Sequence, residues 1–122
     1  MDPTFAASDA LRPSVLQLVL KDQDALYAAY MPWLAEGGVF VPTQRSFDLG
    51  EEACLLLQLP HDSLPHAVIC KVVWVTPAQA VDHRPQGIGM QFAKSAVSAG
   101  LKQKIEALLG PLLASDRPTQ TI

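Results

Sequence analysis

Two cysteines and three histidines are the side chains of this 122-residue chain that could bind a metal or attack a substrate: Cys54, Cys70, His61, His66 and His83. Neither Cys-x-x-Cys nor His-x-x-x-His spacing, the pattern of a zinc site, occurs among them. Both cysteines lie in apolar runs, where burial raises the thiol pKa and suppresses nucleophilic attack. The histidines lie in polar loops, as solvated histidines do. The sequence therefore predicts no metal site, no cofactor and no enzymatic activity.

The paired acidic residues and the paired glycines do not indicate a catalytic or nucleotide-binding site either. Glu51 and Glu52 follow Gly50 and predict a solvated turn. Gly87 and Gly89, in "GIGMQF", lack the remaining residues of a dinucleotide-binding fingerprint and indicate a bend in a strand.

Composition limits the kind of partner. The chain is 49% hydrophobic and 17% charged, and its net charge is −3. Nucleic-acid binding needs clustered Lys and Arg, and the basic residues here are scattered. Residues 1–13 carry acidic residues and prolines where a signal peptide would have a basic and then an apolar segment. Since no apolar run is long enough to span a bilayer, we expect a small cytoplasmic domain without membrane insertion.

Hydrophobic patterning predicts a mainly β domain over residues 14–114, between a flexible leader (1–13) and a polar C-terminal tail (115–122). Strand-length apolar or alternating runs occupy 14–21, 38–43, 52–59, 67–76 and 87–92. A short helix is expected at 22–31, after the first strand, because aspartates precede an alanine-rich run that ends at Pro32. Apolar residues spaced by three and four from Ser95 onward predict a C-terminal helix, and the pattern favours a small antiparallel barrel with this helix packed on it.

Strand 67–76 is apolar on both faces. Only one face of a strand in a small barrel points inward. The other face must be covered by the helix or by another chain, or be left as an exposed patch.

Four collinear segments resemble the PilZ domain family. They are "EGGVFVP", "GEEACLLLQLP", "ICKVVWVTP" and "GIGMQF". The segments "LKDQDALYAAYMPWLAEGGVFVPT" and "SDRPTQTI" are similar to the branch of the family that serves type IV pilus assembly. The resemblance implies a six-stranded antiparallel barrel with a C-terminal helix, which in most members is a receptor for cyclic di-GMP.

The sequence departs from the ligand motifs of the receptor members. Those members carry Arg-x-x-x-Arg before the first strand, and here Arg12 is followed four residues later by Leu16. They also carry Asp/Asn-x-Ser-x-x-Gly, where this chain has Trp33, Ala35 and Gly38. Paired arginines and polar side chains meet the phosphates and guanine edges of the ligand, so their replacement argues against direct binding of cyclic di-GMP.

The pilus-assembly branch implies a non-enzymatic adaptor for pilus assembly and twitching motility. Its implied partners are the pilus extension ATPase, PilB, and FimX, a regulator with degenerate GGDEF and EAL domains that itself binds cyclic di-GMP. The alternative is a direct cyclic di-GMP receptor with a non-standard site that uses Arg12 and Lys21.

Four aromatic residues are candidates for a partner-binding surface: Tyr27, Tyr30, Trp33 and Trp74. Aromatic residues are enriched at the centres of protein interfaces. Because the first three are spaced by three residues, they also fit the core-facing stripe of a helix, and Trp74 fits a barrel face. The sequence leaves both interpretations open.

Overall fold

The computed structural model describes residues 14–80, 84–115 and 117–121. The predicted leader, with Arg12, lies outside these residues, and so does His83. The elements in chain order are β1 (Ser14–Val19), α1 (Gln23–Ala29), β2 (Gly38–Pro42), β3 (Glu52–Gln58), β4 (His66–Thr76), β5 (Gly87–Phe92) and α2 (Ala96–Leu109), followed by a 3-10 turn (Gly110–Ala114).

The strands form one sheet in the order β1-β3-β4-β5-β2. Neighbouring strands are antiparallel except β1 and β3, which run parallel with Leu16 opposite Leu55. The prediction of an antiparallel barrel is therefore wrong for this pair. The physical reason is the connection: α1 and β2 lie between β1 and β3 in the chain, and this crossover lets β3 enter beside β1 in the same direction.

The sheet curls into a half-barrel. The described part of the chain holds five strands, so the sixth strand implied by the resemblance is not among them. The two edge strands do not pair, because residues that follow α1 lie beside β2: Tyr30 bridges to Val39, and the Met31 amide donates to the Gly38 carbonyl at 2.9 Å. At the other edge, Arg45 Nη2 donates to Ser14 Oγ at 3.1 Å and ties the loop after β2 to the start of β1.

Both helices begin at side-chain caps. The Asp22 carboxylate accepts from the Ala25 amide at 2.8 Å, and the Ser95 hydroxyl accepts from the Ser98 amide at 3.1 Å. The α helix α2 ends at Leu109, since Gly110 takes φ +52° and Pro111 cannot continue the pattern.

The core lies between the concave face of the sheet and the two helices. It includes Leu26 of α1, Leu55 and Met90 of the sheet, and Leu101 and Ile105 of α2. On the convex face of β4, Ile69 is nearly half exposed. The second apolar face predicted for this strand is thus left open to solvent at this residue. Among the described residues, no helix has the length and apolarity needed to cross a bilayer.

A polar cluster joins the β3–β4 turn to α2. The Asp62 carboxylate accepts from Lys104 Nζ at 2.8 and 3.0 Å and contacts His66 Nε2 at 2.7 Å. The hydrogen bond from Lys104, and next that from His66, lower the pKa of Asp62 below its ordinary value.

This cluster predicts a pH-dependent contribution to stability. A carboxyl whose pKa is depressed on folding stabilises the native state above its unfolded pKa, and the contribution is lost as pH falls through the folded pKa. We expect Asp62→Asn to lower stability at neutral pH by about 1 kcal/mol, the value of charge-assisted hydrogen bonds reduced by solvent screening. Thermal melts between pH 2 and 7, about the range in which carboxyls titrate, measure this.

Asp48→Asn is the matched control, because it removes the same charge from an exposed loop. The wild type and Asp62→Asn should converge in stability at the acid end, whereas the control should follow the wild type throughout. A constant difference across the pH range would contradict the role given to the Asp62 charge.

Candidate functional site

A groove lies between α1, the segment that follows it, and the C-terminal tail. Its volume is about 450 Å³. Aromatic and apolar side chains form one wall, and tail residues form the other: Tyr27, Tyr30, Pro32, Trp33, Leu109 and Leu113 face Ser115, Arg117, Pro118 and Thr119. We call this the aromatic groove. Three of the four aromatic residues singled out in the sequence line it.

Tyr27 holds the tail in place. Its ring is only 8% exposed, and its hydroxyl donates to the carbonyls of Ser115 at 3.2 Å and Arg117 at 2.5 Å. The Arg117 guanidinium lies over the ring, 5.4 Å from its centre, and approaches Asp24 at 3.4 Å. Further along, the Gln120 amide donates to the Ala28 carbonyl at 2.9 Å. The tail therefore packs along α1.

Tyr30 belongs to the core. It is 2% exposed, and its hydroxyl donates to Glu106 Oε2 at 2.7 Å. Burial, and then the hydrogen bond to Glu106 and its charge, raise the pKa of Tyr30 above the ordinary value. The residue closes the inner end of the aromatic groove and links α1 to α2, but it presents almost no accessible ring to a partner.

Trp33 and Trp74 form a pair at the surface. Their ring centres are 5.8 Å apart and the ring planes are inclined by 58°, an arrangement favourable for aromatic pairs. Trp33 is 47% exposed, and Trp74 is half-buried. Trp74 Nε1 donates to Thr76 Oγ1 at 2.7 Å, which fixes the orientation of that indole.

A bulge in β4 and a glycine in β5 position this pair. The β4–β5 register shifts between Val72 and Trp74, and Trp74 then lies opposite Gly89. A Cβ at Gly89 would lie 2.6 Å from Met31 Cε and 2.7 Å from Trp74 Cβ. The glycine therefore gives both side chains room, as expected of a strand glycine at a close approach.

The structure thus brings Trp33 and Trp74 together at the surface, whereas Tyr27 and Tyr30 are buried and share only the aromatic groove with Trp33. Sequence reasoning gave the tail no place in the site. Apart from the Arg117 side chain, the tail binds through its backbone carbonyls and amides, which any residue type supplies, so those contacts have no sequence signal.

Residues considered for other chemistry lie elsewhere. Burial, and next the neighbouring Cys54, raise the pKa of the Cys70 thiol to about 12. His66 contacts Asp62, and no group of three His, Cys, Asp or Glu residues in the described ranges could hold a metal ion. Lys21, suggested for a non-standard nucleotide site, is exposed and does not line the aromatic groove.

Comparison with known families gives one match. The sequence model of the PilZ domain matches residues 12–110, which covers most of the chain and includes every strand and α2. No curated protein matches the chain.

Because Met31 and Trp74 lie close to the Gly89 backbone, a methyl group added at Gly89 should lower the stability of the fold. Gly89→Ala should force Trp74 or Met31 to move, and we expect a loss of about 1–3 kcal/mol, as for overpacked cores. Near-ultraviolet circular dichroism should also change, because the Trp33–Trp74 geometry is disturbed. Gly100→Ala is the control, since nothing lies within 4 Å of a Cβ at Gly100. Unchanged stability and dichroism in Gly89→Ala would contradict the packing described.

The tail contacts also make a prediction. From the sequence, residues 115–122 are a polar tail that folding does not require. The hydrogen bonds to Tyr27 and Ala28 lead us to expect instead that truncation after Ala114 lowers stability by about 1–2 kcal/mol, because the tail also shields the Tyr27 ring. Tyr27→Phe, which keeps the ring and removes the hydroxyl, should show a smaller loss. Denaturant unfolding measures both, and full stability in the truncated protein would restore the first expectation.

Proposed function

Because the chain belongs to the PilZ domain family, whose members serve as cyclic di-GMP-binding or adaptor modules, we propose that it is a non-enzymatic adaptor that binds a protein partner through Trp33 and Trp74. One observation carries the proposal. Trp33, which takes a motif position where receptor members keep polar ligand-binding chemistry, is half exposed and packs against Trp74, whose indole is fixed by a hydrogen bond.

Loss of the nucleotide chemistry supports this choice. Trp33 and Ala35 take the acidic and serine places of the receptor motif, and neither side chain can accept the hydrogen bonds that a guanine edge or ribose offers. In the arginine motif, the second place is Leu16, which is buried in β1 at 7% exposure. A buried leucine has no cationic group that could bind a phosphate.

Properties of the indole pair support a protein partner. Large exposed aromatic side chains lose little conformational entropy on binding and occupy the centres of interfaces. Trp33 also forms part of the aromatic groove, so a partner that covers the two indoles can place one of its own side chains in that groove. Arg117, which also lines the groove, lies over the Tyr27 ring and contacts Asp24.

We identify the partners from the resemblance to the pilus-assembly branch. They are the pilus extension ATPase (PilB-type) and a FimX-type regulator with GGDEF and EAL domains. The proposed process is type IV pilus assembly and twitching motility, and the adaptor acts in the cytoplasm. In this scheme the adaptor receives the cyclic di-GMP signal through the regulator and binds no nucleotide itself.

Alanine substitution of the two tryptophans tests the proposal. Removing one interface ring costs about 2 kcal/mol of binding energy, about thirtyfold in affinity. We therefore expect Trp33→Ala and Trp74→Ala to weaken binding to the ATPase or the regulator by about this factor. Trp33→Ala should leave thermal stability close to wild type, since half of its ring is already in water.

Val97→Ala is the matched control, because Val97 is an apolar residue of α2 that is 60% exposed and lies outside the aromatic groove. Binding is measured by titration calorimetry with each purified partner. Wild-type affinity for both partners in a folded Trp33→Ala protein would falsify the proposed interface.

A further inference from the structure

We propose that this protein forms a symmetric dimer through β1, with a second copy of the chain pairing antiparallel to it. This inference is independent of the proposed function. It rests on the outer edge of β1, which no described strand covers, on the sequence of that strand and on the apolar face beside it.

Backbone directions in β1 show which groups are free. The Leu20 amide donates to the Gln58 carbonyl of β3 at 2.9 Å. Since the backbone groups of successive residues point to opposite sides of a strand, those of Leu16 and Leu18 also point towards β3. The N–H and C=O groups of Val15, Gln17 and Val19 point away from β3. Within the described ranges, no backbone group of another segment pairs with them.

The opposite edge of the sheet, β2, is covered by another segment of the chain. There, residues after α1 bond to β2 through the Met31 amide and the bridge from Tyr30 to Val39. Proteins protect free edges with charged side chains, prolines or bulges. Ser14–Val19 contains no charged residue and no proline, and its pairing with β3 is regular. As far as the described residues go, β1 is therefore an unprotected edge that is available for pairing.

The sequence of β1 favours a second copy as the occupant. Residues 15–19 read Val-Leu-Gln-Leu-Val, the same in both directions. A twofold axis at Gln17 sets Val15 of one copy opposite Val19 of the other, and Gln17 opposite Gln17. These are the outward-pointing residues, so each of the three pairs exchanges two N–H···O bonds. The register leaves no like charges opposed, because the strand is uncharged.

The convex face beside β1 adds apolar contact to these hydrogen bonds. Val15 is 58% exposed and Val19 56% exposed. Val15 lies in register with Cys54 of β3, which lies in register with the exposed Ile69 of β4. Pairing of two copies continues this row, because Val19 of the second copy lies next to Val15. The dimer therefore places uncovered valine side chains against each other on one face of a continuous sheet.

Sedimentation equilibrium tests the proposal. The mass of the wild type should rise with concentration from one chain of 13.2 kDa towards two. Gln17→Lys sets two ammonium groups at the twofold axis and should weaken dimerisation by at least about tenfold. Gln17→Pro removes the central outward amide without affecting a bond to β3 and should do the same. Val97→Lys adds the same charge on the exposed face of α2 and should dimerise as the wild type does.

Hydrogen exchange provides a second measurement that does not depend on variants. Amides of Val15, Gln17 and Val19 should exchange more slowly as the wild-type concentration rises, whereas those of Leu16 and Leu18, already bonded to β3, should not change. A wild type that stays monomeric up to millimolar concentration overturns the proposal. Dimerisation that folded Gln17→Lys and Gln17→Pro retain at full strength overturns it equally.

Discussion

The five strands in the described part of the chain form a sheet that curls without closing, so its concave face must be covered by other elements, and the rest of the structure depends on how they cover it. The cover consists of α1 and α2, with Leu26 and Ile105 completely buried against the sheet. The hydrogen bond from Tyr30 to Glu106 and the bonds from Gln23 Nε2 to the Leu108 and Leu109 carbonyls hold the two helices together. Because α1 enters the half-barrel in this way, the chain leaving it runs beside β2.

Two consequences follow for the surface. Beside β2, the segment after α1 carries Trp33 to Trp74, whose side chain has room because of the bulge and Gly89. The C-terminal tail packs against the exposed side of α1 and forms the second wall of the aromatic groove. Within the part of the chain that the structure describes, the other edge, β1, gains no such cover beyond the contact of Arg45 with Ser14. One edge of the sheet thus supports the candidate site, and the described residues leave the other uncovered.

Much of the secondary structure follows from local patterns. Alternation and β-branched residues place all five strands, and the capping Asp22 and Ser95 mark the starts of both helices. The parallel pairing of β1 with β3 has no local signal, since it depends on the route of the chain through α1 and β2. The role of each aromatic residue was equally open: spacing by three fits a buried Tyr30 and an exposed Trp33 alike, and only the packing of α1 separates them.

The site itself could be predicted in part because it departs from a family pattern. A tryptophan and an alanine at ligand-motif positions are informative only when the motif is known, and the resemblance to PilZ domains supplies it. Contacts made by the tail are different in kind. Apart from the Arg117 guanidinium, they use main-chain atoms and the Tyr27 hydroxyl, so composition alone does not distinguish this tail from a free segment.

In the proposed function, a protein partner takes the place of the nucleotide at the Trp33–Trp74 pair. The most direct measurement is nuclear magnetic resonance of the two indole N–H groups in ¹⁵N-labelled protein, titrated separately with cyclic di-GMP, with the pilus extension ATPase and with the FimX-type regulator. We expect at least one protein to shift or broaden both indole signals, while cyclic di-GMP at millimolar concentration leaves them in place. Saturable shifts caused by the nucleotide alone, with neither protein affecting the indoles, would contradict it.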